Sequence, residues 1–238
     1  MLTSYKPEIV IHTAALTNVE TCETDPKFAY LQNVTSTKNL IQGCQKNECK
    51  PIFFSSSFVF DGKKSFYTEN DLKNPINYYG KTKAHAEDLI LSSELDYLIL
   101  RTDQPYDWIE NWQKDNGVTR VIKKLKAGLP YKEITNWYNN PTFIPDIAIA
   151  TSNLICNDKT GIYHLVGSEF INRYSWSLII SEVFDLSSNL IIPTSAEQLN
   201  LKAIRPNTNL SNEKIEKEFG VKFTTPIDGL KLMRATYN

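Results

Sequence analysis

The stretch EIVIHTAAL, residues 8–16, is a short, nearly continuous apolar run rich in β-branched residues. A strand with one wet face alternates apolar and polar side chains; a run like this one predicts a strand covered on both faces, as in a parallel sheet. Asp25-Pro26 then opens a long helical stretch, DPKFAYLQNVTSTKNLIQGCQKN, with Asp25 as N-cap and Pro26 in the first turn. Phe28, Leu31, Val34, Ile41 and Cys44 are expected to share its buried face. PIFFSSSFVF, residues 51–60, reads as a second buried strand ended by a polar turn at Asp61-Gly62. A helix follows from Asn74-Pro75, and YLILRT, residues 97–102, is a third apolar strand. Strand, helix, strand, helix, strand at this rhythm indicates right-handed βαβ units, and so an α/β fold with a parallel sheet.

Beyond residue 103 the texture changes. DQPYDWIENWQKDNG is aromatic and polar, without strand character. Helical stretches are expected at 117–127, 144–156, 174–184 and 211–219, among short strands such as IYHLV and NLIIPT. The division is therefore residues 1–103, carrying the sheet, and residues 104–238, mainly a smaller lobe with some segments returning to the sheet. Ligands of open α/β sheets sit at the C-terminal ends of the strands, beside which such a lobe packs.

Composition narrows the functions. Hydrophobic residues are 41% and charged residues 22% of the 238, which suits a soluble globular chain. A formal net charge of −1 gives no reason to expect a nucleic-acid partner. No apolar run reaches the roughly 18 residues of a membrane span, and no signal peptide precedes the first strand, so a cytoplasmic location is expected. Cys22, Cys44, Cys49 and Cys156 form no C-x-x-C pair and read as reduced thiols. His12, His85 and His164 are scattered, so no metal site is expected.

Ser55-Ser56-Ser57 closes the second strand, where side chains emerge from a parallel sheet. INYYGKTKAHAEDLI, residues 76–90, places Tyr79 and Lys83 one helical turn apart on one face. A hydroxyl, a phenol and an ammonium meeting in one cleft have a coherent use. The ammonium favours phenolate and lowers the phenol pKa. The phenol then exchanges a proton with a substrate oxygen, while the serine bonds that oxygen. Spacing alone carries little weight; the surrounding blocks decide.

Those blocks resemble the extended short-chain dehydrogenase/reductases, most closely the dTDP-4-dehydrorhamnose reductases. SSSFVFDG at 55–62 and NPINYYGKTK at 74–83 are similar to the family's Ser-Thr-Asp-Tyr-Val-Phe-Asp-Gly and Pro-Leu-Asn-Tyr/Val-Tyr-Gly-x-x-Lys. HTAALTNVETCETDP, LRTDQPY at 100–106 (family Leu-Arg-Thr-Ser-Trp-Val-Tyr), NNPTFIPDIA, GIYHLVG and RPNTNLSNEKIEKEFG continue the likeness along essentially the whole chain. The resemblance implies a Rossmann-like sheet with a C-terminal substrate-binding lobe. It also implies NADP(H)- or NAD(H)-dependent reduction of a nucleotide-linked 4-keto-6-deoxysugar in polysaccharide precursor synthesis. Tyr79 is then the general acid, Lys83 holds the nicotinamide ribose and depresses the Tyr79 pKa, and Ser56 replaces the family's threonine as carbonyl donor. Ala14, Ala15, Leu16 and Asn33 border the cofactor with Tyr79 and Lys83, while Ser57, Gln104 and Arg205 face the sugar nucleotide. A homodimer is compatible with this reading.

The chain also departs from the family. Its nine glycines include no G-x-G-x-x-G. The family's βα units carrying the glycine-rich turn precede the point where this sequence enters, so most of the cofactor site is expected to be missing. A truncated form of a longer reductase is the first expectation. A shortened relative that binds without catalysis, or a second polypeptide completing the sheet, are the others. The family's Asp-Tyr is Ser57-Phe58 here, which removes a carboxylate and a hydroxyl; its Trp is Gln104, and the arginine before Arg205 is Ile204. Alternatives are a nucleotide-sugar epimerase or dehydratase using the same trio, and a non-catalytic binding or regulatory subunit of the same fold, like the regulatory β subunit of methionine adenosyltransferase.

Overall fold

The computed structural model describes residues 2–236. Strands β1 (Ile9–His12), β2 (Lys50–Ser56) and β3 (Leu98–Thr102) are parallel neighbours, and β5 (Gly161–His164) pairs beside β3, giving a four-stranded sheet in the order β1-β2-β3-β5. Between them in sequence lies β4 (Tyr131–Ile134), which pairs in parallel with β6 (Ile191–Thr194) away from the main sheet. The sheet is therefore the expected parallel α/β sheet, with one strand drawn from beyond residue 103.

The apolar runs follow from two-sided burial. Adjacent residues Ile52 and Phe53 of β2 enter different cores, as do Leu98 and Ile99 of β3. On one face Ile52, Leu98, Leu100 and Tyr163 pack with Ala150 and Leu154 of helix Ile144–Cys156. On the other, Phe53 and Ile99 pack with Ile41 of helix Ser36–Asn47 and Ala86 and Ile90 of helix Tyr78–Leu91. These two helices are named α1 (Ser36–Asn47) and α2 (Tyr78–Leu91). The lobe has its own core, in which Val121, Trp176, Ile180, Leu230 and Met233 surround Tyr106 and Phe143. Among the described residues, no helix is long and apolar enough to cross a membrane.

Two expectations need correction. The helix after Asp25 is not regular: Pro26–Tyr30 runs into a π turn at Leu31–Thr35 before α1. The wide turn shifts the helical phase, so Phe28 and Leu31 are 43% and 54% exposed while Ala29, Asn33, Val34, Ile41 and Cys44 are buried. The second strand also stops at Ser56. Ser57–Val59 turns into a 3-10 helix whose first N–H groups are partly served by the Ser56 hydroxyl, which accepts from Phe58 N.

A buried ion pair seats α2 on the sheet. Arg101 on β3 donates to both carboxylate oxygens of Glu87, at 3.0 and 2.8 Å, and Ser55 on β2 donates to the same group at 2.5 Å. With its lone pairs satisfied by these donors, the Glu87 charge is tolerated in the interior. At the other end, the Asn77 side chain caps α2 by accepting from Gly80 N and donates to the Ile204 carbonyl at 2.8 Å. A Cβ on Gly80 would meet the Phe58 carbonyl oxygen at 2.1 Å, so glycine is what lets α2 approach the turn after β2.

Candidate active site

These supports deliver three side chains to one place. Ser56 ends β2, and its hydroxyl faces the Tyr79 phenol in the first turn of α2. Tyr79 is 8% exposed, against the edge of Phe58 at 5.7 Å between ring centroids. Lys83 follows one turn later, 3% exposed. Its ammonium donates to the Phe54 carbonyl at 2.6 Å and lies 3.9 Å from the Phe53 ring centroid. The trio is thus gathered at the C-terminal ends of the strands, inside the protein.

The electrostatics differ from the sequence expectation in one respect. Burial pushes the Tyr79 phenol up to about 12, and the Ser56 hydroxyl pulls only partly the other way. Burial lowers Lys83 to about 7, opposed by the Glu87 carboxylate. The expected lowering of the phenol by Lys83 is therefore not what the geometry produces: desolvation acts on both groups, and the ammonium is turned to a backbone carbonyl. The result is a phenol that stays protonated at neutral pH, the form able to give a proton away.

The residues expected from the sequence to border a cofactor cluster just beyond β1. Ala14 is exposed, and Ala15 and Leu16 are half-buried. Asn33, in the π turn, accepts from Leu16 N at 2.7 Å and donates to Leu16 O and to Thr82 Oγ1. It therefore ties the loop after β1 to the helix that carries Tyr79 and Lys83. Thr37, which donates to the Asn33 carbonyl, is in hydrogen-bond contact with His12, whose imidazole is lowered to about 4 by burial and then by Lys83.

On the opposite side Ser57 is fully buried beside the Asp103 carboxyl, without closing a hydrogen bond of normal geometry. Gln104 has a positive φ of 40° and accepts from Arg173 at 3.2 Å. Arg173 in turn pairs with buried Glu133 at 3.3 Å. Arg205 is engaged by Glu20 at 2.8 Å and by the Trp137 indole at 5.5 Å, and it meets the trio only through the ring line Trp137–Phe58–Tyr79.

Sequence reasoning missed Asp103, Asn140 and Arg173. Asp103 is 3% exposed, accepts from Asn140 N at 2.9 Å, and is pushed up to about 7 by burial. Its place immediately after the third strand was the signal, by the strand-end rule that located the serines.

Comparison with known proteins agrees with this geometry. Methionine adenosyltransferase 2 subunit beta of Xenopus tropicalis is 29% identical over 232 residues, covering 95% of this chain and 69% of that protein. dTDP-4-dehydrorhamnose reductase of Aggregatibacter actinomycetemcomitans is 28% identical over 248 residues, covering 99% and 83%. The crystal structure of dTDP-4-dehydrorhamnose reductase from Bacillus anthracis, in complex with NADP, superimposes with a TM-score of 0.92 at 23% identity, over 99% of this chain and 83% of that one. The sequence pattern described as RmlD substrate binding domain matches residues 1–238, and with that match the strand-end trio has its context: the chain belongs to the RmlD substrate-binding domain family.

Proposed function

We propose that this protein reduces the carbonyl of a nucleotide-linked 4-keto-6-deoxysugar with NADPH or NADH, in the supply of polysaccharide precursors. The observation that carries the reading is the burial together of the Ser56 and Tyr79 hydroxyls, with Lys83 one turn away. Relatives named as dTDP-4-dehydrorhamnose reductase and as spore coat polysaccharide biosynthesis protein SpsK support the substrate class.

The residues present fit the nicotinamide end of a dinucleotide. Ala14 is exposed just beyond β1, and the Lys83 ammonium is held by the Phe54 carbonyl over the Phe53 ring. The glycine-rich turn that grips a pyrophosphate is not among the 238 residues. When bound, a reduced nicotinamide supplies the hydride. This chain's part is to hold and protonate the substrate: Ser56 bonds the carbonyl oxygen, and Tyr79 gives that oxygen its proton. Lys83 holds ribose hydroxyls through its ammonium, and the enclosure of all three side chains keeps water from competing.

A second reading is a binding subunit without turnover. It is favoured by the relative named methionine adenosyltransferase 2 subunit beta, and by the exchange of the family's Asp-Tyr for Ser57-Phe58. Offering the full-length protein dTDP-4-dehydrorhamnose and NADPH discriminates. Consumption of NADPH with formation of dTDP-rhamnose by NMR supports the reductase, isomerisation without consumption indicates an epimerase, and neither outcome leaves the binding subunit.

A further inference from the structure

The sequence predicts that a carboxylate has been lost from the substrate side, because Ser57 stands where the family's motif has aspartate. The structure places a carboxyl there all the same. Asp103, which follows β3, lies beside Ser57, which follows the last residue of β2. In the family pattern position 103 is serine, so the two residue types have changed places across neighbouring strand ends.

The Asp103 carboxyl has an unusual setting. It is nearly fully buried, and among the described residues it forms no ion pair; Arg173 acts on it only at a distance. Asn140 N–H holds Oδ2 at 2.9 Å, and Thr142 fixes the strand end by donating to the Asp103 carbonyl at 2.7 Å. Ser56 and Thr102 are paired across β2 and β3, so the next residues, Ser57 and Asp103, leave adjacent strand ends, and Tyr79 is near enough to feel the carboxyl's charge. Ser57 Oγ is buried with no hydrogen-bond partner of normal geometry. A fixed carboxyl and an unpartnered hydroxyl, side by side and next to the groups that hold the reacting carbonyl, leave hydrogen-bonding capacity aimed at one spot. Buried groups of this kind are costly unless a donor completes them.

The chemistry of a 4-keto-6-deoxysugar defines that donor. Its C4 carbonyl is flanked by C5, which bears the methyl group, and by C3, which bears a hydroxyl. A residue adjacent to Ser56 and Tyr79 therefore reaches a single neighbouring hydroxyl. We propose that Asp103 is the acceptor for the sugar's C3 hydroxyl, with Ser57 beside it; the assignment rests on the substrate class proposed above.

The test is equilibrium binding of dTDP-rhamnose and its 3-deoxy analogue by calorimetry, using the full-length parent, Asp103→Ser, Asp103→Asn and the exchange variant Ser57→Asp/Asp103→Ser. The parent is expected to prefer the 3-hydroxy ligand by about 10- to 100-fold, the range for a hydrogen bond to a charged group. Asp103→Ser should bind both ligands alike, and the exchange variant should recover the preference, which a packing role for Asp103 would not produce. Asp103→Asn keeps the shape if Asp103→Ser folds poorly, and should lose most of the preference. An unchanged preference in Asp103→Asn, or an exchange variant that folds but stays indifferent, overturns the assignment. A parent that turns over NADPH yet shows no preference overturns it alone. A parent with the preference but no turnover overturns only the reductase reading, and one that binds neither ligand overturns both.

Discussion

Ser56, the last residue of β2, and Tyr79, in the first turn of α2, bring their hydroxyl groups face to face in the interior of the protein. Removing the phenol oxygen removes the proposed proton donor and little packing. Tyr79→Phe should lower turnover by about 100- to 10,000-fold, the usual worth of a positioned acid, with the melting temperature nearly unchanged. Ser56→Ala should cost about 100- to 1,000-fold in kcat, as loss of one donor to a developing oxyanion does. Steady-state NADPH oxidation and thermal melts of both variants check this.

The buried ionisable groups set opposite pH slopes on stability. Lys83 falls from 10.5 in the unfolded chain to about 7 when folded. Between those values the unfolded chain binds more protons, so this group makes stability rise with pH from about 7 to 10.5. Asp103 rises from 3.8 to about 7, so the folded form keeps its proton longer and stability falls as pH climbs through that window. Relative to the parent, Lys83→Met should therefore lose the alkaline rise and Asp103→Asn the acidic fall, each with a slope approaching ~1.4 kcal/mol per pH unit. Urea unfolding across pH 4 to 10, a span set by these two windows, measures both.

Gly80 is a packing test. Its α-hydrogen lies where a methyl group would run into the Phe58 carbonyl oxygen, a backbone atom that cannot rotate away. Gly80→Ala should destabilise by about 1–3 kcal/mol despite better helix propensity. It should also reduce turnover, because the turn that must yield follows Ser56 directly. Denaturant midpoints and kcat, measured together, give the answer.

Removing one half of the Arg101–Glu87 pair should be far worse than removing both. Arg101→Met leaves the buried Glu87 carboxylate with only Lys73, at 3.4 Å, and Ser55, and is expected to cost about 3 kcal/mol, whereas Arg101→Met with Glu87→Leu recovers most of that loss. A double-mutant cycle on unfolding free energies tests the pairing.

β1 is an edge of the sheet among the described residues, and Ile11 on it is 51% exposed. Exposed apolar edge strands template self-association, which a charge opposes. Ile11→Lys should lower the scattering of concentrated samples without changing the fold seen by circular dichroism.

Much of this was legible from residues alone. Continuous apolar runs mark strands buried on both faces, and Ile52 and Phe53 entering different cores is the structural form of that signal. The serines and the Tyr/Lys pair were found by strand-end and helical-turn arguments. Phe28 and Leu31 were misplaced because a π turn leaves no mark in composition, yet it changes which residues share a face. The pKa of Tyr79 was misdirected for a different reason: the spacing names Lys83 as a neighbour, but only three dimensions show how deeply both are buried and that the ammonium faces Phe54. Asp103 was overlooked because motif comparison drew attention to Gln104 beside it.

The π turn at Leu31–Thr35 acts as a one-residue insertion that decouples two halves of a rod. Phe28 and Leu31 point outward, while Asn33 and Thr37 stay aimed at the loop after β1 and at His12. Deleting a single residue there would restore an ordinary pitch and rotate Asn33 by about 100°, the angular step of an α-helix. The loop bearing Ala14 to Leu16 would then lose its anchor without any change in Ser56, Tyr79 or Lys83 themselves.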